Sequence, residues 1–314
     1  MPINRLVFLA ALVAVGIVLY LTTAVQGDWG FVLLLRGKKL LAMLLVGSAI
    51  ASATVVFQTL TTNRILTPSI IGLDALYLLS KMMVIYFLGS AAQLAQPPQW
   101  QFYIDTALMT ATAAVLFATF LPLLARDIYR LLLIGIIFGV LCNKLTDLMA
   151  RMIDPTDYTR FQAIAYARFD SARADLILPA ALIIGACLAW LWHKRHVLDI
   201  LALGREQAIN LGINYPREQL TLMLTVALLV AVSTALVGPT LFFGLLVSAL
   251  AYRLFPVPYH AIHLPAAALI ACATLVIGQT LFERVFHYTA TLSILIEGIG
   301  GSVFLYLLLA RKQP

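Results

Sequence analysis

Residues 39–60, KLLAMLLVGSAIASATVVFQTL, decide the fold of this chain, because they stay apolar for about six helical turns with one charge at their start. A helix needs about 20 such residues to cross the hydrocarbon core of a bilayer. Hydropathy and breaker residues place comparable stretches near 5–25, 69–90, 103–125, 129–150, 173–193, 218–237, 240–255, 260–282 and 290–310. The sequence therefore predicts an all-α polytopic membrane protein with about ten transmembrane helices.

The composition excludes an ordinary soluble fold. Of the 314 residues, 62% are hydrophobic and 11% are charged, whereas soluble domains carry about 25% charged residues. The mean hydropathy of +0.97 also indicates a membrane protein. The apolar run 6–24 is too long for the h-region of a signal peptide, so we expect a retained first helix. We predict one transmembrane domain over 1–314, with no large aqueous domain.

The net charge and the positions of the cysteines limit the kinds of binding partner and metal site to expect. The net charge of +7 fits lipid headgroups and the positive-inside bias, so we expect a bilayer and no nucleic acid as partner. The distribution of Lys and Arg leaves the orientation open. Three cysteines lie in apolar stretches, where thiols act as small hydrophobes. His260 and His263 lie at the edge of a predicted span, so we expect their side chains at the membrane interface. We therefore expect no metal site; the cysteines are Cys142, Cys187 and Cys272.

Two connections are longer than the others. Residues 151–172 mix Arg, Asp, Tyr and Phe, which predicts a short amphipathic element on one membrane face. Residues 194–217 form the longest polar stretch and predict two short helices, 197–203 and 205–211, broken at Gly212. A connection with its own secondary structure is a natural docking surface for another protein.

Charged residues inside the spans are costly in a bilayer and indicate either helix packing or a transport pathway. Lys144 and Asp147 lie three apart and can pair with each other. Asp74 and Lys81 lie two turns apart on the same side of the third predicted span, and Glu297 lies near the middle of the last. Both interpretations, packing and pathway, stay open for these residues.

Small residues four apart let helix backbones approach closely in lipid. Gly135 and Gly139 form such a pair in the fifth predicted span, and residues 298–301 are rich in glycine. We interpret these as packing positions.

Four motifs recur in a recognisable order. They are GSAIA at 47–51 with FQ at 57–58 and NRILTPSIIG at 63–72, LGREQAINLG at 203–212, GPTLFFGLLV at 238–247, and GGSVFLYLL at 300–308. Together they resemble the FecCD family, the permeases of ABC importers for siderophores, haem and vitamin B12. The chain departs from the family pattern at Arg64, at Ser248-Ala249 and at Ser302, where proline or proline-histidine is usual.

The resemblance implies the fold of a type II ABC importer permease and a transport subunit that is not itself an enzyme. ATP and Mg²⁺ would bind to two separate ATPase subunits, since the chain has no P-loop. Residues 194–217 would be the cytoplasmic coupling segment, with both termini cytoplasmic in the bacterial inner membrane. The implied coupling residues are Leu203, Gly204, Arg205, Glu206, Ala208, Leu211 and Gly212.

The resemblance also implies sites at the periplasmic face and along the pathway. Arg36, Lys39 and Arg284 would dock a periplasmic substrate-binding protein, and residues 151–172 would be a periplasmic connection. The pathway would run between two permease subunits. Its candidate lining or packing residues are Gln58, Asn63, Pro68, Lys144, Asp147, Gly238, Pro239 and Glu297.

The stretch 63–68 with 73–77 looks like the subgroup that serves catecholate or related siderophores. That subgroup commonly pairs with a second, non-identical permease, so a heterodimer is favoured and a homodimer stays possible. A bulky anionic ferric chelate would be attracted by Arg151 and Arg160. The alternatives are a haem or corrinoid permease of the same family, or an ion-coupled secondary transporter that uses Lys144, Asp147 and Glu297.

Overall fold

A computed structural model describes residues 2–23, 29–95, 97–123, 128–169, 173–285 and 297–302. The helices in chain order are α1 (Pro2–Thr22), α2 (Trp29–Thr61), a 3₁₀ turn (Pro68–Ile71), α3 (Leu73–Ala95), α4 (Pro98–Leu123), α5 (Ile128–Ala150), α6 (Pro155–Ala165), α7 (Ala174–His193), α8 (Arg195–Leu201), α9 (Arg205–Asn210), α10 (Tyr215–Val237), α11 (Phe243–Leu254) and α12 (His260–Val285). Residues 297–302 are also helical.

Seven helices in the described part of the chain are long and apolar enough to cross a membrane: α1, α2, α4, α5, α7, α10 and α12. Helix α11 is apolar but shorter, and α3 is interrupted at Gly89, which has φ 78°. Of the tenth predicted span, 290–310, only residues 297–302 are described. The all-α polytopic fold with about ten spans is thereby confirmed.

Helix α2 lies at the centre of the bundle. Its side chains from Ala49 to Leu60 are all buried, and it packs against α7, α10, α11 and α12. A helix that is apolar on every side belongs in such a position, because no face needs water. It begins ten residues earlier than the predicted start at 39, since the apolar residues 31–35 extend it. Arg36 therefore lies within a helix and not in the predicted connection.

The contacts define two ends of the bundle. At the first, which we call the hairpin end, residues 194–217 lie beside the last turn of α2 and the first turn of α12. At the other, the far end, the last turn of α1 meets the start of α2 and the last turn of α12. The sites described below belong to these two ends and to the cavity between them.

The glycine pair in α5 packs against the 3₁₀ turn, and not against a neighbouring spanning helix. A Cβ built on Gly139 would lie 2.9 Å from the Cα of Gly72, and one on Gly135 would lie 3.1 Å from the Cα of Ile71. Contacts this short leave no room for a side chain at Gly139. The two glycines four residues apart therefore do allow a close backbone approach, as expected. The sequence did not show that the backbone they approach is that of Ile71 and Gly72.

Candidate functional site

The segment 194–217, the hairpin segment, folds as two short helices at one end of the bundle. They are α8 and α9, joined at 202–204 and followed by Gly212. The predicted break at Gly212 was wrong, because that residue ends α9 and does not separate the two helices. The separation falls about two turns earlier, at 202–204, where Gly204 stops the helical hydrogen bonding of α8.

Gly204 requires the absence of a side chain. Its φ of +100° and ψ of 165° lie in a region that is essentially restricted to glycine. As the residue before α9, it lets the chain turn sharply while its carbonyl accepts from the amide of Ala208 at 3.0 Å. Gly212 has φ +84° and ends the second helix in the same way. The two turns fix the orientation of α9 relative to α8.

The hairpin segment is joined at its base to two spans. Lys194, after α7, and Glu218, in the first turn of α10, form an ion pair of 2.7 Å with both side chains about one-fifth exposed. On the inner face of the segment Leu198, Leu201 and Ala208 are buried. The buried inner face and this ion pair join the hairpin segment to the end of α7 and the start of α10.

A hydrogen-bond chain joins α8 to two further helices. The Oδ1 atom of Asp199 accepts from the backbone amide of His260 and lies 2.7 Å from its Nδ1. On the other side of the ring, Nε2 of His260 lies 2.7 Å from Oγ1 of Thr59, near the end of α2. Asp199, His260 and Thr59 therefore connect α8, α12 and α2 in a single relay.

The outer face of the hairpin segment is exposed and mixed in character. Leu203 and Leu211 are each 59% exposed and Ile209 is 48% exposed, and Glu206 lies beside them in the first turn of α9. Arg205 stacks over the ring of Tyr215 at 5.9 Å. Large apolar side chains that are exposed together and bordered by polar residues mark a surface that another protein can cover. Of the predicted coupling residues, only Ala208 is buried; Gly204 and Arg205 are partly buried, and the other four are exposed.

At the far end, Arg36, Lys39 and Arg284 converge on the last turn of α1. The guanidinium of Arg36 donates to the carbonyl of Thr23 at 2.8 Å, and Arg284 donates to the same carbonyl. Lys39 is buried and forms an ion pair of 3.0 Å with Glu283, whose carboxylate also accepts from Gln279 at 2.8 Å. These predicted docking residues hold three helix ends together. Arg36 and Arg284 stay partly exposed there, whereas Lys39 does not.

The turn after α2 is built by the predicted residues Gln58, Asn63 and Pro68. The buried Gln58 donates from Nε2 to the carbonyl of Arg64 at 2.8 Å, and Oδ1 of Asn63 accepts from the amide of Ile65 at 3.0 Å. Pro68 begins the 3₁₀ turn. These contacts are local, and they position the start of α3.

A cavity of about 520 Å³ lies beside this turn. It is bounded by α5, the start of α3, the residues after α10 and the helical residues 297–302. Pro239 and Glu297 line it, while the neighbouring Gly238, at φ +100°, packs against the backbone of Ala167. Three of the predicted pathway or packing residues therefore lie together.

The predicted Lys144–Asp147 pair is present, at 3.1 Å, but it points away from the body of the chain. The two side chains are 74% and 58% exposed. Exposed apolar side chains surround the pair on the same helix, among them Leu141 and Leu148. If this side of α5 lay against lipid, both charged side chains would face hydrocarbon, which is costly.

Asp74 and Lys81 have separate partners. Lys81 forms a buried ion pair of 2.5 Å with Asp105 of α4. Asp74 accepts from the hydroxyl of Thr234 in α10 at 2.9 Å. Sequence reasoning missed Asp105, Asp199 and the buried position of His260, because their partners lie far apart along the chain.

A second cavity, of about 510 Å³, opens between α3, α4, α6 and α10. Tyr77, Lys81 and Asp105 line its floor, and Arg160, Arg168 and Arg173 line its mouth. Arg160 is exposed, as is Arg151 at the end of α5. The three cysteines are free and buried, and no group of three or more His, Cys, Asp or Glu within the described ranges could hold a metal ion.

A bundle of apolar spans, with a helical hairpin clamped across several of them and an opening between helices, has the architecture of a transport permease. A family model described as the FecCD transport family matches residues 3–310. The petrobactin import system permease protein YclO of Bacillus subtilis is 40% identical over 303 residues, which cover 96% of this chain and 95% of that protein. The corresponding permease FatC of Bacillus anthracis is 28% identical over 276 residues, covering 87% and 77%.

A solved structure of a metal-chelate type ABC transporter in an inward-facing conformation has the same fold. Its TM-score is 0.85 at 21% identity, and the match covers 99% of this chain and all of that one. The chain belongs to the FecCD transport family. It is a multi-pass membrane protein of the bacterial inner membrane, as the motifs indicated.

Proposed function

We propose that this chain is the permease subunit of an ATP-driven importer that moves a ferric siderophore from a periplasmic binding protein to the cytoplasm. The observation that carries the proposal is the hairpin segment, which presents an exposed face and is clamped to α2, α7, α10 and α12. The import permeases YclO and FatC support an iron chelate of the petrobactin class. A catecholate-type chelate stays a prediction of the sequence.

The coupling residues take complementary roles in this proposal. Leu203, Glu206 and Leu211 contact an ATPase subunit, since their side chains are exposed, while Ala208 anchors α9 to the bundle. Closure of two ATPase subunits, which bind the ATP and Mg²⁺, then moves the hairpin segment as a rigid body. The ion pair and the relay carry that movement into the spans. The hairpin segment and both termini are cytoplasmic.

A second permease subunit covers the exposed face of α5. Lys144 and Asp147 lie on that face in the last two turns of α5, and a partner or a water-filled pathway would supply the polar surroundings that lipid cannot. The same face carries the exposed Ile137, Val140 and Leu141. A non-identical partner is favoured and an identical one is the alternative. The pathway runs along this interface, past Glu297 and Pro239.

The far end receives the loaded binding protein. Arg36 and Arg284 keep part of their surface exposed there, so they serve as attachment points for acidic side chains. Lys39 contributes by holding Glu283 in place. Because surface ion pairs contribute only about 0–1 kcal/mol each, their effect is on orientation and on-rate. Arg151 and Arg160 attract the anionic chelate, and charge reversal of both that left uptake unchanged would contradict this role.

Co-purification tests the proposal. The chain is co-expressed with candidate ATPase and second permease subunits, purified in detergent and reconstituted in liposomes with candidate binding proteins, loaded or empty. We expect an ATPase subunit to co-purify, and ATP hydrolysis to rise when the loaded binding protein is added. Uptake of radiolabelled iron chelates, haem and a corrinoid then identifies the substrate. Uptake that proceeds without any ATPase subunit and stops with an uncoupler would contradict the proposal and favour an ion-coupled transporter.

A further inference from the structure

The cavity of about 510 Å³ opens at the level where several spans end. Pro98 in the first turn of α4, Leu176 in the first turn of α7 and Val237 at the end of α10 line it. These helix ends lie at the far end of the bundle, because α7 ends and α10 begins at the hairpin segment. Trp100 and Tyr103, both exposed, lie in the first two turns of α4. Exposed Trp and Tyr mark the membrane–water interface, so the mouth of the cavity lies at the depth of lipid headgroups.

The wall of this cavity is strongly basic. Arg160, Arg168 and Arg173 line the mouth with exposed side chains. The carboxylate of Asp105 is the only one in the described wall, and it forms a buried ion pair of 2.5 Å with Lys81. Four basic side chains and one acidic side chain leave a surplus of three positive charges. Such a surplus raises the local concentration of anions.

The arginines can hold an anion in addition to their contacts within the chain. A guanidinium carries five N–H donors, and bidentate binding of a phosphate uses two of them. Arg173, for example, approaches Asp175 at 3.5 Å through Nε, and that contact involves one donor. The planar fork of arginine also matches the geometry of phosphate oxygens better than lysine does. Three guanidiniums at one mouth therefore favour a phosphate group.

The backbone after α6, which carries Arg168, is held in place by the end of α10. The amide of Arg168 donates to the carbonyl of Val237 at 2.7 Å. Its neighbour Ala167 is 1% exposed, and a Cβ built on Gly238 would lie 3.1 Å from the Cα of Ala167. A site whose backbone is already packed needs little reordering when a ligand binds.

The inner wall selects the kind of anion. Ile85, Phe102, Ile164 and Leu236 supply apolar surface behind the arginines. The volume of about 510 Å³ is far larger than the roughly 30 Å³ that one water molecule occupies in the liquid. A hydrated inorganic anion would leave the apolar surface without a partner. A phospholipid offers both a phosphate and an acyl chain, and basic pockets between membrane helices bind anionic headgroups.

We propose that this cavity binds an anionic phospholipid, with its phosphate held by Arg160, Arg168 and Arg173 and the adjoining part of an acyl chain on the apolar wall. The bound lipid bridges α6 and α10 and stabilises their packing. Inorganic phosphate is the other source of the same group, and the experiment below distinguishes the two. The proposal does not rest on the proposed import function.

Thermal unfolding of the purified permease in detergent provides the test. Phosphatidylglycerol is titrated into the micelles and compared with phosphatidylcholine of the same acyl chains and with potassium phosphate at fixed ionic strength. A ligand that binds only the folded state raises Tm, here on the order of 5 °C at about a hundred times Kd. We expect a saturable rise with phosphatidylglycerol alone. An equal rise with phosphatidylcholine or with potassium phosphate would overturn the proposal.

A charge variant tests the arginines. Arg168→Gln combined with Arg173→Gln should lose most of the rise, while Arg160 is kept because it is also assigned to attraction of the chelate. Arg217→Gln combined with Arg253→Gln is the matched control, since it removes two exposed arginines at the hairpin end. The control should keep the full rise. Equal losses in the two double variants would show attraction to surface charge in general and would count against a site.

A steric variant tests the cavity without changing its charge. Ala163, exposed on α6, lines the cavity, so Ala163→Phe should fill part of it and reduce the rise. Gln162→Phe adds the same ring at an exposed neighbouring position that does not line the cavity, and it should keep the rise. This comparison decides the matter if the double arginine variant does not fold. An unchanged rise in Ala163→Phe would contradict binding in this cavity.

Discussion

Gly204 shows how a single residue sets the geometry of the hairpin segment. Its backbone, at φ +100° and ψ 165°, is available to glycine and costs other residues on the order of 1–3 kcal/mol. A Cβ built there would also lie 3.2 Å from the side chain of Gln207. Any substitution must therefore either strain the turn or reorient α9.

Gly204→Val should leave the bundle folded and uncouple ATP hydrolysis from uptake, because the strain falls on the connection between α8 and α9. The measurement is the ratio of chelate imported to ATP hydrolysed in proteoliposomes, which we expect to fall at least several-fold. Gly185→Val is the control, since Gly185 lies in the interior of α7 with open space around it. Full transport by the Gly204 variant would contradict the coupling role.

Asp199 acts through His260, and its substitution tests the relay. Asp199→Ala removes the acceptor for the buried amide and ring of His260, which costs about 1–3 kcal/mol. We expect binding-protein stimulation of ATP hydrolysis to drop while the basal rate stays unchanged. Asp199→Asn keeps a carbonyl oxygen for the amide and should restore most of the stimulation. A general loss of folded protein would instead lower the basal and the stimulated rates by the same factor.

At the scale of helices, buried ion pairs specify which helices pack together in the bundle. The Lys81–Asp105 pair ties α3 to α4 with both side chains less than one-tenth exposed. Lipid is as apolar as leucine, so packing and polar contacts decide which helices meet. Gly139 and Gly72 fulfil the same task by close backbone contact between α5 and the 3₁₀ turn.

Lys81→Met should destabilise the protein by about 3–5 kcal/mol, since it leaves Asp105 buried without a counter-charge. The double variant Lys81→Met with Asp105→Leu should recover most of that loss, because both buried charges are gone. Denaturant-induced unfolding in mixed micelles measures the difference. The exposed pair supplies the comparison: Lys144→Met should cost far less in the isolated chain. Equal losses for the single and double Lys81 variants would contradict this account.

At the scale of the whole molecule, the two ends of the bundle must face opposite sides of the membrane. Leu203 at the hairpin end is 59% exposed, and Met152 at the far end is 63% exposed. Cysteines placed at either position would be readily labelled. The native Cys142, Cys187 and Cys272 are buried and can be replaced beforehand.

In a cysteine-free background, Leu203→Cys should react with a membrane-impermeant maleimide only in inside-out vesicles. Met152→Cys should react in intact spheroplasts. This outcome follows from the proposed orientation, with the hairpin segment and both termini in the cytoplasm. Labelling of Leu203→Cys from outside would contradict that orientation and the contact with an ATPase subunit.

The sequence by itself determined the fold class, the approximate number of spans, the family and the position of the hairpin segment. These properties are carried by local hydropathy, breaker residues and short motifs such as LGREQAINLG at 203–212. Boundaries were less certain, as the early start of α2 and the break at Gly204 show. Whether an apolar residue extends a helix, or a glycine ends it, depends on residues that pack against it from elsewhere in the chain. A local sequence pattern does not contain that information.

Only the tertiary structure decided which polar groups meet. The partner of Lys39 lies 244 positions away, Thr59 and His260 are 201 positions apart, and Asp74 meets Thr234 across 160 positions. In lipid each buried polar group needs a partner, but many partners are chemically equivalent along the chain. Helix packing chooses among them, because it alone sets which side chains come within hydrogen-bond distance.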